Sequence, residues 1–470
     1  MWLCGMQQPD HNTINRFRKG QLKNTVKDVF GQVLYYLVES ESLKIEDYHV
    51  DGTKIESVAN RYTFVWAKNV ARYKKGLLEK ISSLIEHIEH ISEKEEKTST
   101  RQEDGSPKIV DSDLLKQTIA NINEQLSSEM EKSKRLKKKV KKLEEEHLKK
   151  LEEYEEQERI LGSRSSYSKT DRDASFMRMK DDHMKNGQLK PGYNIQIGTT
   201  NQYIVNYTIH QSTTDWPVFI DHMNETQRVL DSIGQPMPCR ASGDAGYGSE
   251  QNYDYLEEKG IENYLKYPGF FKEQKRSSKT NFFATQNLYY NSDQDYYVCP
   301  MGQHLTYRYT KKIKSRLGYE STAKVYQAQN CEGCPLRSSC YKAKPARTIQ
   351  VNPNLQRHRE IAKTNLWSLR GIRLRKKRNC DVEPVFGHIK SNRQFDRFKL
   401  RSLEGVNIEF GLLAIAHNIK KWWAKIQRNK VIKLNPIPPY GTPKSQEILE
   451  NKLFLIKYSI FSHEKHHKAA

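Results

Sequence analysis

The stretch CRASGDAGYGSEQNYDYLEEKGIENYLKY, residues 239–267, decides how this chain folds. CRASG reads as a short strand, SEQNYDYLEEKG as a helix closed by Gly260, and IENYLKY as a further strand. Asp244 falls between the first strand and the helix, set among Ala, Ser and Gly. An Asp beside Gly has an ordinary use, capping a turn or a helix start. It also has a chemical use, and which one applies depends on the other carboxylates that meet it.

Upstream, GYNIQIGTTNQYIVNYTIH alternates Tyr193, Ile195 and Ile197, then Tyr203, Val205, Tyr207 and Ile209, with the polar GTTNQ marking a hairpin. LKIEDYHVDGTKIES is another strand, broken at Asp51-Gly52. WPVFIDHMNETQRVLDSIG is an amphipathic helix ending at Gly, and QLKNTVKDVFGQVLYYLVES a second, with apolar residues at helical spacing. Three strands followed by helix, strand, helix and strand fit an RNase H-like mixed sheet flanked by helices, an α/β fold. A long helical segment interrupts the series. Leu77, Ile81, Leu84, Ile88 and Ile91 follow a 4-3-4-3 rhythm, resumed by Leu115, Ile119, Ile122 and Leu126 and then Leu136, Val140 and Leu143. The turn-rich EKEEKTSTRQEDGSPK between them predicts a coiled-coil hairpin of two long helices. Its run KSKRLKKKVKKLEEEHLKKLEE reads either as a solvated helix surface or as a DNA-backbone contact.

At 470 residues with a formal net charge of +22, the chain attracts polyanions. Mean hydropathy is −0.86, and no apolar run approaches the ~20 residues that span a bilayer. Seven cysteines without a secretory pattern suit a reducing cytoplasm.

Phosphoryl transfer on DNA uses two metal ions about 3.5–4 Å apart, and the protein must bring two or three carboxylates together from separate elements to hold them. Asp51, followed by Gly-Thr, and Asp244, followed by Ala-Gly, end strands, with small neighbours that leave room for a phosphate. Glu383 lies on a helix where Glu383, Gly387 and Lys390 share one face beside an apolar stripe of Val382, Phe386 and Ile389. A metal ligand beside a phosphate contact and a surface ion pair are both compatible with that helix alone.

VDGTKIESVANRYTFVW (50–66), KDDHMKNGQLKPGYNIQIGT (180–199), SGDAGYGSEQNYDYLEEKGIENYLKY (242–267) and VEPVFGHIKSN (382–392) together resemble bacterial insertion-sequence transposases of the DDE type. The resembling group has a helical insert after the first Asp and a cysteine-bearing insert before the Glu. The resemblance implies Asp51, Asp244 and Glu383 as catalytic acids binding two Mg²⁺ or Mn²⁺ ions. It also implies double-stranded DNA, as element ends and target, for substrate, and a homodimer in the DNA complex. Glu383 and Lys390 keep the Glu-to-Lys spacing of relatives. Asn379 stands where relatives carry Arg, with Arg378 one position away. Relatives begin with a helical DNA-binding domain, and MWLCGMQQPDHNTINRFRKG looks like the end of one, so Met1 is read as an internal methionine of a longer frame. The competing reading is a truncated DNA-binding relic without catalysis. The expected location is the bacterial cytoplasm, with the nucleoid and without a membrane.

Cys299, Cys331, Cys334 and Cys340 contain one Cys-x-x-Cys pair. They offer either a closed structural Zn²⁺ site or reduced thiols. Basic density peaks at RGIRLRKKRNCD and KSNRQFDRFKLRS, around Glu383 and Lys390. Arg375, Lys376, Lys377, Arg378, Lys390, Arg393 and Arg397 are the expected phosphate contacts, with Phe395 and Phe398 as rings for splayed bases. The expected organisation is a DNA-binding remnant at 1–42, core segments at 43–76, 161–267 and 353–430, the helical insert at 77–160, the cysteine-bearing β-rich insert at 268–352, and a tail at 431–470.

Overall fold

The computed structural model describes residues 8–91, 111–127, 133–179, 187–315 and 317–429. The tail at 431–470 and the linker of the expected helical hairpin lie outside them. A six-stranded mixed sheet is central. Its strands are β1 (Asp47–Glu56), β2 (Ser175–Arg178), β3 (Leu189–Thr200), β4 (Tyr203–His210), β5 (Arg240–Gly243) and β6 (Glu262–Leu265). On one side β1 pairs antiparallel with β3, which pairs along its other edge with β2 and then β4. On the other side β1 runs parallel to β5, and β5 parallel to β6. The β3–β4 turn is made by Asn201 and Gln202, both at positive φ (53° and 65°), as a two-residue hairpin of this twist requires.

Side-chain alternation along β1 assigns its two faces. Tyr48 points to the helix Phe219–Ser232, and its hydroxyl meets His222 Nε2 at 2.9 Å and Thr226 Oγ1 at 2.8 Å. His49 points the other way, to the helix Leu369–Gly387, where Asp381 Oδ2 lies 3.8 Å from its Nε2. Numbered in chain order, the packed helices are α1 (Val26–Glu39), α2 (Phe219–Ser232), α3 (Glu250–Glu258), α4 (Pro353–Trp367), α5 (Leu369–Gly387) and α6 (Ser402–Asn429). The sequence places α1 in a separate N-terminal unit. In the structure its Phe30, Val33, Leu34 and Leu37 share the core of the sheet. Phe30 stands edge-on to Tyr207, centroids 5.3 Å apart. A fully buried ring of this kind stabilises the fold by about 3–5 kcal/mol against truncation to Ala.

The helical insert differs from the expected two-helix hairpin. Ala67–Ile91, Ser112–Ser127 and a third stretch running from Ser133 to Leu161 share one core of Leu77, Ile81, Ile85, Leu115, Ile119, Ile122, Val140, Leu143 and Leu151. A heptad rhythm fixes which residues are buried, but not how many helices share the seam. The insert leaves and rejoins the main body through a two-stranded ribbon, Phe64–Trp66 against Ser166–Ser168. The cysteine-bearing region forms its own five-stranded sheet, in the order Thr348–Val351, Glu320–Ala328, His304–Lys314, Tyr296–Val298, Tyr289–Asn291.

Candidate active site

The parallel pairing of β1 with β5 matches Asp47 to Arg240, Tyr48 to Ala241 and His49 to Ser242. Extended by two residues, that register brings Asp51 beside Asp244, just past β5. β1 is not broken at Asp51-Gly52 as the sequence suggests but pairs on through Gly52 to Glu56, so Asp51 sits midway along it. Asp51 is buried, 8% exposed, and its Oδ1 accepts the Gly52 amide at 2.9 Å. Asp244 follows the last residue of β5 and accepts the Gly246 amide at 2.8 Å, so it caps the single turn 245–247. The capping use is thus real, and it holds the carboxylate in place at the strand end.

A third carboxylate, unmarked by any motif, stands with these two. Asp215, in the loop before α2, accepts Asn194 Nδ2 and Gln196 Nε2 on Oδ1, each at 2.9 Å. The glycines after the two motif aspartates explain its position. A Cβ on Gly52 would stand 2.4 Å from Gln196 Nε2 and 2.8 Å from Asp215 Oδ1, and one on Gly246 would stand 2.9 Å from Asp244 Oδ1 and 3.6 Å from Asp215 Oδ2. The sequence suggests that these small residues admit a substrate phosphate. At Gly52 the space is filled by the protein's own Gln196 and Asp215. Tyr247, fully buried, donates its hydroxyl to Gln196 Oε1. Burial, and then the negative charge of Asp51, Asp215 and Asp244, push its phenol well above the ordinary range, so it stays a donor.

The counter-charge comes from α5 and the end of β6. Arg378, 7% exposed, places Nη2 3.1 Å from Asp51 Oδ2. Lys266 donates its backbone N–H to Gly243 O at 3.3 Å, which sets it beside Asp244. Burial and then the positive field of Arg378 lower its pKa, while Asp244 opposes the shift. The other expected phosphate contacts are spread out. Lys377 is 3.1 Å from Asp47 Oδ2. Arg397 donates to Ser57 O and Ala59 O at 3.2 and 3.3 Å. Arg375 is half-buried, Lys376 exposed and Lys390 half-buried. Phe398 cannot stack on bases, because it is 1% exposed and stands edge-on to Tyr193 and Phe395.

Glu383 lies on α5, five residues past Arg378. Gly371, Leu374, Arg378, Asp381, Val382 and Val385 make the buried face of that helix, whereas Glu383 is exposed. At 100° per residue it points about 140° away from Arg378, the residue that meets Asp51. The same helix contains Pro384, which has no N–H to offer the Cys380 carbonyl. Gln202 Nε2 takes that carbonyl instead, at 2.7 Å, and Asp381 accepts the Asn201 amide at 2.7 Å and that of Gln202. The helix is thereby fixed to the β3–β4 turn.

Other groups could hold a metal. Among the described residues Asp254, Glu257 and His358 bring ligand atoms within 4.8 Å of one another. Their valences are already used: His358 Nε2 is 2.5 Å from Asp254 Oδ1, Asn354 donates to Asp254 at 3.1 Å, and Arg357 grips Glu257 through two bonds of 2.6 Å. With that guanidinium in place, the cluster clamps α3 to α4. The four cysteines line one cavity of about 160 Å³, and Arg347 donates to Cys331 Sγ (3.4 Å) and Cys340 Sγ (3.2 Å). No three of their sulfurs fall within the 4.8 Å that groups the Asp254 cluster, so a Zn²⁺ would have to draw them inward. A basic cavity of about 690 Å³, lined by Arg393, Lys420, Lys421 and Lys425 with His388 and His417, opens at the Asn201–Gln202 turn.

A family model described as a transposase DDE domain matches residues 298–423, a span that includes Glu383, Lys390 and all four of these cysteines. No curated protein and no solved structure matches the chain. No helix among the described residues is long and apolar enough to cross a membrane.

Proposed function

We propose that this protein cleaves DNA strands at the ends of an insertion sequence and joins them to target DNA, on an RNase H-like sheet. Water attacks the end phosphodiester and releases a 3′-OH, which then attacks a target phosphodiester and displaces its own 3′-oxygen. The observation that carries this reading is the placement of Asp51, midway along β1, beside Asp244, just past the end of the parallel strand β5, in a chain whose C-terminal part matches the transposase domain. Hard carboxylate oxygens suit Mg²⁺ or Mn²⁺, and Asp51 and Asp244 would hold the ions. Such ions supply charge stabilisation and a nucleophile at neutral pH. The chain's own contribution is positional. The Gly246 amide orients Asp244, Arg378 balances Asp51, and Tyr247 with Gln196 fixes the floor between them.

The third acid has two candidates. Glu383 follows from the resemblance, and it needs the exposed face of α5 to reach the DNA and the aspartates. Asp215 is favoured by its position beside Gly52 and Gly246. A cleavage assay on end-sequence duplex with Mg²⁺ separates them. Asp51→Asn and Asp244→Asn should each lower the rate by about a thousandfold or more with DNA binding kept. Whichever of Glu383→Gln and Asp215→Asn matches that loss is the third acid. Wild-type protein that binds end DNA but never cuts it would instead be a DNA-binding relic.

A further inference from the structure

Beside the aspartates the surface shows an array that no motif announces. Phe270 is buried, 1% exposed, and anchors two exposed rings, Phe271 at 5.2 Å and Trp367 at 5.7 Å between centroids. Phe271 is 58% exposed and Trp367 47%. A cation lies over each of them: Lys266 Nζ is 4.8 Å from the Phe271 ring, and the Arg375 guanidinium is 4.9 Å from that of Trp367. Lys266 belongs to the residue pair that abuts Asp244, through its backbone bond to Gly243 O. The corner carrying Trp367 is fixed. Ser368 caps α5 by accepting the Gly371 amide at 2.9 Å, and a Cβ on Gly371 would stand 2.0 Å from Asn365 O.

Large apolar rings left in water are unfavourable unless something covers them, and lysine and arginine beside them select an anionic partner. Rings flanked by cations are how proteins hold unpaired nucleotides, the bases stacking and the phosphates pairing with the charges. We propose that Phe271 and Trp367, with Lys266 and Arg375, form a stacking platform for an unpaired nucleotide of the DNA strand at the reacting end. This deepens the transposase reading and rests on it, because it is the cut or splayed end that would present such a nucleotide next to Asp244.

The test uses the full chain and two fluorescein-labelled probes, a blunt 30-base-pair duplex and the same duplex with a four-nucleotide oligo-dT 3′ overhang, at fixed salt. Wild-type protein should prefer the overhang duplex. Trp367→Ala and Phe271→Ala should each weaken overhang binding by about tenfold, the scale of one base–ring stack, and leave blunt-duplex binding within about twofold. Trp367→Phe should retain the preference. Equal overhang preference in wild type and both Ala variants would overturn the platform. If that happens while Asp51→Asn still abolishes cleavage, the platform alone has failed. If the wild type shows no cleavage, the transposase reading has failed, and the overhang ratio still decides whether these rings bind nucleotides.

Discussion

Asp47 and Asp51 lie on the same strand and the same face, four residues apart, yet their surroundings differ. Asp47 is saturated: Arg240 Nε lies 2.5 Å from one oxygen and Lys377 Nζ 3.1 Å from the other. Burial opposes its ionisation, but the bonds from Arg240 and Lys377 outweigh it and hold the carboxyl below its ordinary range. Asp51 meets the Arg378 guanidinium and adjoins Asp244, with Asp215 and Tyr247 close by. Carboxylates matched with cations one for one hold a fold together. Carboxylates gathered beside one another repel, and such a cluster suits a metal ion.

The largest effect should come from removing charge at each end of this comparison. Asp51→Asn should cost the cleavage rate about three orders of magnitude and leave the urea midpoint unchanged or raised. Asp47→Asn should do the reverse, destabilising the chain by about 1–3 kcal/mol while cleavage by the folded fraction stays within about twofold. An Asp47→Asn protein that is stable but inactive would erase the distinction between the two residues.

A smaller effect belongs to four buried or half-buried histidines, of which His49 lies between the two aspartates on β1. Burial is the leading cause that lowers His49, His210 and His417 to about 4 and His222 to about 3. Each is therefore neutral in the fold, while an exposed histidine takes up a proton near pH 6.5. The unfolded chain binds more protons in the window between those values, so stability is full above about pH 6.5 and falls as the pH drops toward 4. Urea unfolding at pH 7.0 and 5.0 should give a lower midpoint at 5.0. An unchanged midpoint would mean that these imidazoles are hydrated. The smallest expected effect is at the cysteines, where a structural Zn²⁺ is proposed on Cys299, Cys331, Cys334 and Cys340. About one zinc per chain should be found by metal analysis after chelator-free purification, and Cys334→Ser should lose it without changing cleavage by Asp51 and Asp244 more than about twofold. Metal-free wild type would leave four reduced thiols.

Much of this contrast was legible in the sequence. The strand–helix–strand reading of 239–267 matches β5, α3 and β6, and the GTTNQ hairpin matches the β3–β4 turn. Both succeed because period-two and period-3.6 patterns report burial directly. Asp215 was not legible, since TTDW is a loop without periodicity. Its signal was indirect, a glycine following each motif aspartate closely, which only the folded chain turns into a third group. Phe398 misled because alternation of basic and aromatic residues does not say which side faces the core. For Trp367 the rings and cations that form one surface come from 266–271 and 367–375, two stretches brought together only by α4 and α5 packing on the sheet.

The ribbon that joins the helical insert to the sheet has a consequence for how the chain finds its fold. His49 pairs with Thr199, so the central strand must meet a partner 150 residues away. Val65 pairs with Tyr167 along that route, and the helices between them close on a core of their own. If those helices form first, about 100 residues of that separation collapse into a single short link. Loop-closure entropy then falls by about 1 kcal/mol for the β1–β3 pairing, and the search for register becomes that of a much smaller protein. The insert acts on this route as a local shortcut, shortening the path along which β1 must find β3.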